Sequence, residues 1–279
     1  MENRLLNSLK YTAIEPSKLL KNEVIKYILT EGDVVDCQFW STLMVPTRTE
    51  FICFNLNENK QLAYTNNKEF VINECSIAGL HTKPLTLQFS GKFKLLGIQL
   101  RSTVTYEIFN TPMKHLSNSS VSLQDLIGNE ANNLQDLILE NENSIPDTIQ
   151  TIEKFFIKLL NSKQSTHPSV LNALQLIEGS KGKKRISEIA KDIHTTERTL
   201  ERNFLNHVGV PPKIYLGIYR VSSFLQYMSM NKNAPSKTFY DFGYFDQSHF
   251  IREFKKFAGK CPAQYFNDCN KINNFINDF

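Results

Sequence analysis

The sequence predicts an α+β protein in two unlike parts, a β-rich N-terminal part folded as a small barrel or sandwich and an all-α C-terminal part of two helix-turn-helix units joined by a long helix. Three observations carry this expectation. Short apolar runs broken by turn formers fill the stretch from Val34 to Leu100, and the apolar spacing becomes helical after Leu100. The charge is also divided: residues 165–266 hold 15 Lys+Arg against 8 Asp+Glu, whereas the whole chain carries only +4. A chain of 279 residues is longer than one core normally serves, so two domains are expected.

The bulk composition places the chain among globular proteins, with 41% hydrophobic and 22% charged residues. No apolar run approaches a bilayer span. The opening Met1-Glu2-Asn3-Arg4 leads into a polar segment rather than a signal-peptide core, and a cytoplasmic location without membrane contact is expected. The five cysteines, Cys37, Cys53, Cys75, Cys261 and Cys269, include no C-x-x-C pair. They read as reduced structural thiols, and neither a metal nor a cofactor is expected.

In the β-rich part the runs are Val34 to Trp40, Phe51 to Leu56, Phe70 to Ile72, Ile77 to Leu80, Leu85 to Phe89 and Phe93 to Leu100. Breaks fall at Asn57-Glu58-Asn59-Lys60, Asn66-Asn67 and Ser90-Gly91, and Gly91 to Leu95 alternates as a half-buried strand does. Trp40 reads as a core residue. Arg48, Glu50 and Glu74 read as solvated strand ends rather than as pocket residues.

Helical spacing begins with Val104, Ile108 and Phe109, recurs at Leu134, Leu137 and Ile138, and lengthens into Ile149 to Leu160, with Pro146-Asp147 in the first turn. The stretch from Asn161 to Pro168 has almost no apolar content. The expected division is therefore 1–162 as the β-rich sensor or dimerisation domain with its trailing helices, 163–168 as linker, and 169–279 as the helical domain with its tail. In the tail, Ile272, Phe275 and Ile276 allow one short, loosely docked helix.

In the first helical unit, Ile186, Ile189 and Ala190 make a small apolar stripe, a turn follows at Asp192 to Thr195, and Thr196 caps the next helix. Leu200 and Phe204, one turn apart, face inward and leave Glu197, Arg198, Glu201, Arg202 and Leu205 outside. Val208 to Pro212 stops that helix and starts a long one reaching about Met228, with Tyr215, Ile218, Tyr219 and Phe224 on its apolar face. The second unit repeats the plan: a helix through Phe239 and Phe242, a turn at Gly243, then Asp246 capping Gln247 to Ala258. There Phe250, Phe254 and Phe257 face inward, while Gln247, Ser248, Ile251, Arg252 and Lys255 face out.

These outward faces have the chemistry of duplex recognition. Gln pairs with the edge of adenine and Arg with O6 and N7 of guanine, whereas Lys255 and Lys256 suit phosphates, which hold register without reading sequence. Glycine-rich Gly179-Ser180-Lys181-Gly182-Lys183-Lys184 lacks the spacing of a phosphate-binding loop and reads as a basic turn.

The pattern Ile186-x-x-Ile189-Ala190, Thr196-x-Arg198-x-Leu200-x-Arg202-x-Phe204, Gly209-x-x-Pro212 and Phe250-x-x-x-Phe254-Lys255-Lys256-x-x-Gly259-x-x-Pro262-x-x-Tyr265 resembles the DNA-binding domain of the AraC/XylS family of bacterial transcription regulators. The resemblance covers Ser169 to Phe266. It implies that the second helix of each unit enters the major groove, which nominates Arg198, Glu201 and Arg202 in the first unit and Gln247, Ser248 and Arg252 in the second. Two departures stand out: His194 occupies a turn where the family has glycine, and the aromatic run Thr238-Phe239-Tyr240-Asp241-Phe242 replaces the isoleucine and alanine of the usual opening helix.

The N-terminal runs Met44-Val45-Pro46, Phe51 to Leu56, Gly79 to Leu85 and Leu96 to Leu100 resemble the β-rich domain that precedes this unit in many uncharacterised family members. Such domains are cupin-like and either bind a small effector or form the homodimer. Here Thr47-Arg48 stands where an acidic residue and glycine are usual. The implied partners are double-stranded promoter DNA, a small-molecule effector, a second copy of the chain, and RNA polymerase if the outcome is activation. No grouping of a nucleophile with a base marks an enzyme. The rival readings are an interaction adaptor that has lost DNA binding and a ligand-binding or enzymatic module with a supporting helical domain.

Overall fold

The computed structural model describes residues 6–35, 39–57, 61–65, 68–72, 75–141, 143–231 and 238–267. Cys37, Glu74, Cys269 and the short helix expected in the tail lie outside them. Among these residues ten strands form two antiparallel sheets. Strands β1 (Leu6–Ile14), β2 (Val24–Val34), β4 (Glu50–Asn55), β7 (Cys75–Ala78), β9 (Gly91–Leu100) and β10 (Ser120–Ser122) make a six-stranded sheet in the order β1-β2-β9-β4-β7-β10. The second sheet runs β3-β8-β5-β6, from β3 (Trp40–Met44), β5 (Gln61–Thr65), β6 (Lys68–Ile72) and β8 (Leu85–Phe89).

The first two strands were not expected, because the apolar runs appeared to start only at Val34. The reason is visible in β2, where Lys26, Thr30, Glu31 and Asp33 interrupt the apolar pattern. These residues are carried by pairing on both sides: β2 lies between β1 and β9, and Glu31 stands opposite both Lys10 and Lys94. Lys10 Nζ lies 3.9 Å from the Glu31 carboxylate.

Side chains on successive strand positions point to opposite faces, and both faces of the large sheet are covered. On β9, Leu96, Ile98 and Leu100 join the core beneath the helices, while Phe93 and Leu95 belong to a cluster with Val34 and Phe89. Trp40 stacks on Phe89 at 5.6 Å between ring centroids. The helical cover consists of α1 (Val104–Phe109), α2 (Gln124–Ile127), α3 (Asn129–Glu140) and α4 (Ile145–Leu160), which place Val104, Leu134, Ile138, Ile152 and Phe156 in that core. Ser144 caps α4 by accepting from the Asp147 N–H, and Pro146 lies in the first turn, where no amide hydrogen is missed. The Ser17 N–H and the Tyr27 hydroxyl donate to Glu153 Oε1 at 2.7 and 3.2 Å, fastening sheet to helix.

The polar stretch after α4 is strapped to the β-rich part through Glu107. Gln164 N–H donates to the Glu107 carbonyl at 2.8 Å, and Thr166 Oγ1 donates to Glu107 Oε1 at 2.7 Å. Lys163 pairs with Glu23 at 3.2 Å and with Glu107 at 3.8 Å. Low apolar content marks this segment in the sequence, but hydrogen bonding and charge, which periodicity does not register, hold it down.

The C-terminal helices are α5 (Pro168–Gly179), α6 (Ile186–Asp192), α7 (Glu197–His207), α8 (Pro212–Met230), α9 (Gln247–Ala258) and α10 (Pro262–Asn267), with a 3₁₀ helix at Thr238–Phe242. They bury two separate cores, and α8 contributes to both. Tyr215, Leu216 and Tyr219 pack with Ile189, Leu200 and Phe204, while Ile218, Val221, Phe224 and Leu225 pack with Phe250, Phe254 and Phe257. The β-rich part reaches into each core, through Leu80 in the first and Val45 in the second.

Candidate nucleic-acid interface

Each helix-turn-helix unit is built by a short supporting helix, a turn and a capped second helix. In the first, Ile189 and Ala190 of α6 are buried, and Ala190 provides the small surface that admits α7. The Glu188 carboxylate accepts from the Arg185 N–H at 2.7 Å, satisfying an otherwise unpaired donor at the start of α6. The turn is left-handed at His194, with φ of 53°, and the Thr195 N–H closes onto the Ala190 carbonyl at 2.9 Å. Histidine thus adopts the conformation for which the turn favours glycine, at a cost in strain. Thr196 Oγ1 accepts from the Thr199 N–H at 3.1 Å and starts α7. Leu200 and Phe204 are fully buried, which leaves Glu197, Arg198, Glu201 and Arg202 exposed and Leu205 half-buried.

The second unit departs from the expected plan at its opening helix. Residues 238–242 form a 3₁₀ helix rather than an α-helix. Bulk explains the change, because the run has no small residue to allow close α-helical packing against α9. The contact is made by rings instead: Phe239 stacks on Phe250 at 5.1 Å with planes 5° apart, and Phe242 meets Phe224 edge-on at 5.6 Å. Gly243 then turns with φ of 79°, and a Cβ there would lie 2.6 Å from the Gly182 carbonyl oxygen, so both conformation and space require glycine. Asp246 accepts from the His249 N–H at 2.7 Å and caps α9. Phe250, Phe254 and Phe257 are buried.

All eight nominated residues are on the surface. Arg198, Glu201 and Arg202 lie along one exposed face of α7, and Gln247, Ser248, Arg252, Lys255 and Lys256 are exposed on α9. The two surfaces are held to one frame by α8. Gly217 of α8 permits the approach of α9, since a Cβ would sit 2.6 Å from the Phe257 ring. Arg220 of α8 pairs with Glu253 of α9 at 3.8 Å and donates to the Gly182 carbonyl at 2.9 Å. The basic turn at 181–184 therefore serves as a bracket beneath α8.

Sequence reasoning missed Lys114. It lies on a 3₁₀ helix at Met113–His115 and lines a groove of about 520 Å³ with Arg198, Glu201, Arg202 and Asn206. No local pattern marks it, because its significance comes from the packing of distant segments. Glu50 was also misplaced, as a solvated strand end. It is fully buried, its Oε2 accepts from the Thr105 N–H at 3.3 Å, and burial raises its carboxyl to about 7. Arg48 is no free strand end either: its guanidinium lies 4.7 Å over the Tyr219 ring.

A second candidate site lies between the two sheets, a cavity of about 150 Å³ lined chiefly by apolar side chains such as Ile28, Phe51, Phe70 and Leu87. Among its lining residues none carries a charge at neutral pH. Its polar points come from uncharged side chains, Tyr11, Thr30, Thr47, Thr49, Ser76, Ser120 and the imidazole of His81. His81 is buried, its Nδ1 has no hydrogen-bond partner, and desolvation lowers the imidazole to about 4, so the ring is neutral. Burial raises the Cys53 thiol in the same wall to about 12, which keeps it protonated. Among the described residues no cluster of His, Cys, Asp and Glu has the arrangement of a metal site, and no helix is long and apolar enough to cross a membrane.

A β-rich part carrying a two-unit helix-turn-helix domain defines the class to which this architecture belongs. Residues 189–268 match the family model described as a helix-turn-helix domain, and residues 12–122 match one described as a domain of unknown function (DUF6597). Similar solved structures include ToxT from Vibrio cholerae, at 12% identity over 83% of this chain and 98% of that one, with a TM-score of 0.47. Another is unsaturated fatty acid bound wild-type ToxT from the same organism, at 13% identity, 82% and 95% coverage, and a TM-score of 0.46. The AraC-like transcriptional activator CuxR is similar at 14% identity over 67% of this chain and 73% of that one, with a TM-score of 0.33. No curated protein sequence matches the chain.

Proposed function

We propose that this protein is a sequence-specific DNA-binding transcription regulator whose helices α7 and α9 enter successive major grooves. The supporting observation is the pair of capped helices with exposed polar faces, joined through one helix that packs into both cores. With 19 residues α8 is about 28 Å long. That is the scale of one turn of DNA, about 34 Å. In this reading Arg198, Arg202, Gln247 and Arg252 read base edges, Glu201 and Ser248 assist them, and Lys255 and Lys256 hold phosphates. Residues 1–162 form the sensor or dimerisation domain, 163–168 the connection, and 169–279 the DNA-binding domain.

Selection of a bound duplex from a randomised pool, followed by footprinting, tests this reading directly. Two protected patches one helical turn apart are expected, and a folded protein that selects no sequence overturns it. Arg252→Ala should cost about 1–3 kcal/mol on the selected duplex and relax preference at one position, whereas Lys256→Ala should weaken all duplexes alike and lower the salt slope by about 1. Equal effects of the two changes on matched and mismatched duplexes would refute that division.

The cavity between the sheets supports control by a small effector that is uncharged and largely apolar, since a buried charge without a partner is costly. His81 Nδ1 would accept its single polar hydrogen. Trp40, the only tryptophan, stacks on the cavity residue Phe89 and reports occupancy by fluorescence. A straight-chain alcohol should perturb that signal while the carboxylate of equal length leaves it unchanged. A stronger response to the carboxylate would reverse the assignment.

A further inference from the structure

We propose that Lys114, on the β-rich part, is a DNA-phosphate contact that extends the surface of the first reading helix. The placement of Lys114 beside α7 is fixed by packing. Met113, its neighbour, is fully buried, and Ser117 Oγ donates to the Gly209 carbonyl at 2.6 Å. Gly209 ends the segment after α7 with φ of 88°, and a Cβ there would lie 2.7 Å from the Met113 carbonyl oxygen. Tyr106 meets His207 of α7 edge-on, with ring centroids 4.0 Å apart. The 3₁₀ helix and α7 are therefore two walls of one rigid groove.

Charge identifies what the groove takes. Lys114 stands on one wall, and Arg198 and Arg202 on the other, with Glu201 the sole anionic residue of the lining. Among the described residues none of the three cations is in an ion pair, and all three are exposed. Three like charges around one groove repel one another, and a polyanion relieves that repulsion. A helix lying in a major groove about 12 Å wide is flanked by phosphate ridges on both sides. A cation set beside such a helix, on a neighbouring element, meets a phosphate and not a base edge. The β-rich part thus contributes to DNA affinity without reading sequence.

This inference rests on α7 being a reading helix, and the experiment separates the two. Binding of the full-length chain to a fluorescein-labelled random-sequence duplex is measured by anisotropy across a potassium chloride series. Lys114→Ala should lower the slope of log Kd against log salt by about 1, and Lys114→Arg should restore it. The same change should weaken the duplex selected by the protein by the same factor. Lys154→Ala, at an exposed lysine on α4, should match the wild type. If Lys114→Ala equals the wild type or binds more tightly while Arg202→Ala loses affinity for the selected duplex, the phosphate contact is overturned and the reading helix stands. If Arg198→Ala and Arg202→Ala also equal the wild type on the selected duplex, both fail.

Discussion

The two helix-turn-helix units each leave an exposed polar face on the second helix, and they bury the opposite face by different means. In the first, a small aliphatic helix carries Ile189 and Ala190 against Leu200 and Phe204, and the strain falls on one left-handed histidine. In the second, the supporting element is a 3₁₀ helix, the left-handed residue is glycine, and packing is carried by rings: Phe224, Phe239, Phe242, Tyr244, Phe250 and Phe254 touch one another in a continuous cluster. What the units share is a buried supporting element, a left-handed turn and a capped second helix. A small helix packs against α7 in one unit, and a short tight helix with large rings packs against α9 in the other.

The contrast can be broken first at its centre. Phe250→Ala should cost about 3–5 kcal/mol, because it empties the middle of the aromatic cluster, where no small helix stands ready to close the gap. Urea unfolding followed beside near-ultraviolet dichroism measures the loss. Leu200→Ala, in the first core, should fall in the range of about 2–5 kcal/mol and leave the aromatic signal of the second unit in place. A loss of that signal in both variants would mean the two cores unfold as one.

The caps test what the units share. Thr196→Ala and Asp246→Ala each remove the acceptor for one helix N-terminal N–H, and each should cost about 1 kcal/mol. Amide exchange at Thr199 and His249 should rise locally in the corresponding variant. A change confined to one unit would show that only that unit depends on its cap.

The smallest effect sharpens the comparison at its turns. His194→Gly should stabilise the first unit by about 0.5–1 kcal/mol, since glycine takes φ of 53° without the clash that histidine bears. A higher thermal midpoint checks it. A lower one would assign His194 a contact that offsets its strain.

Much of the helical part was legible from residue types alone. Leu200 and Phe204, like Phe250 and Phe254, stand one helical turn apart, and Thr196 and Asp246 start helices for chemical reasons that act within one turn. The outward set on α7 and α9 followed by subtraction. The aromatic run at 238–242 was visible as an anomaly, but its 3₁₀ form was not, because that form depends on how much room α8 and α9 leave it.

The β-rich part was legible only where its strands are apolar. Strands β1 and β2 escaped notice because their polar residues are balanced by partners across the sheet, and pairing is a contact between distant segments. Glu50 gives the same lesson: nothing in its neighbours signals that α1 folds over it and supplies the Thr105 N–H. Residue order alone settles which residues make helices, which faces those helices turn outward and where their caps fall, because these are set by interactions within a turn or two of chain. Only the tertiary structure decided that Glu107 straps the connecting segment, that the sheets enclose an uncharged cavity around His81, and that Lys114 stands beside Arg198 and Arg202. Each of these joins residues far apart in the chain, and their proximity is a property of packing that no local pattern encodes.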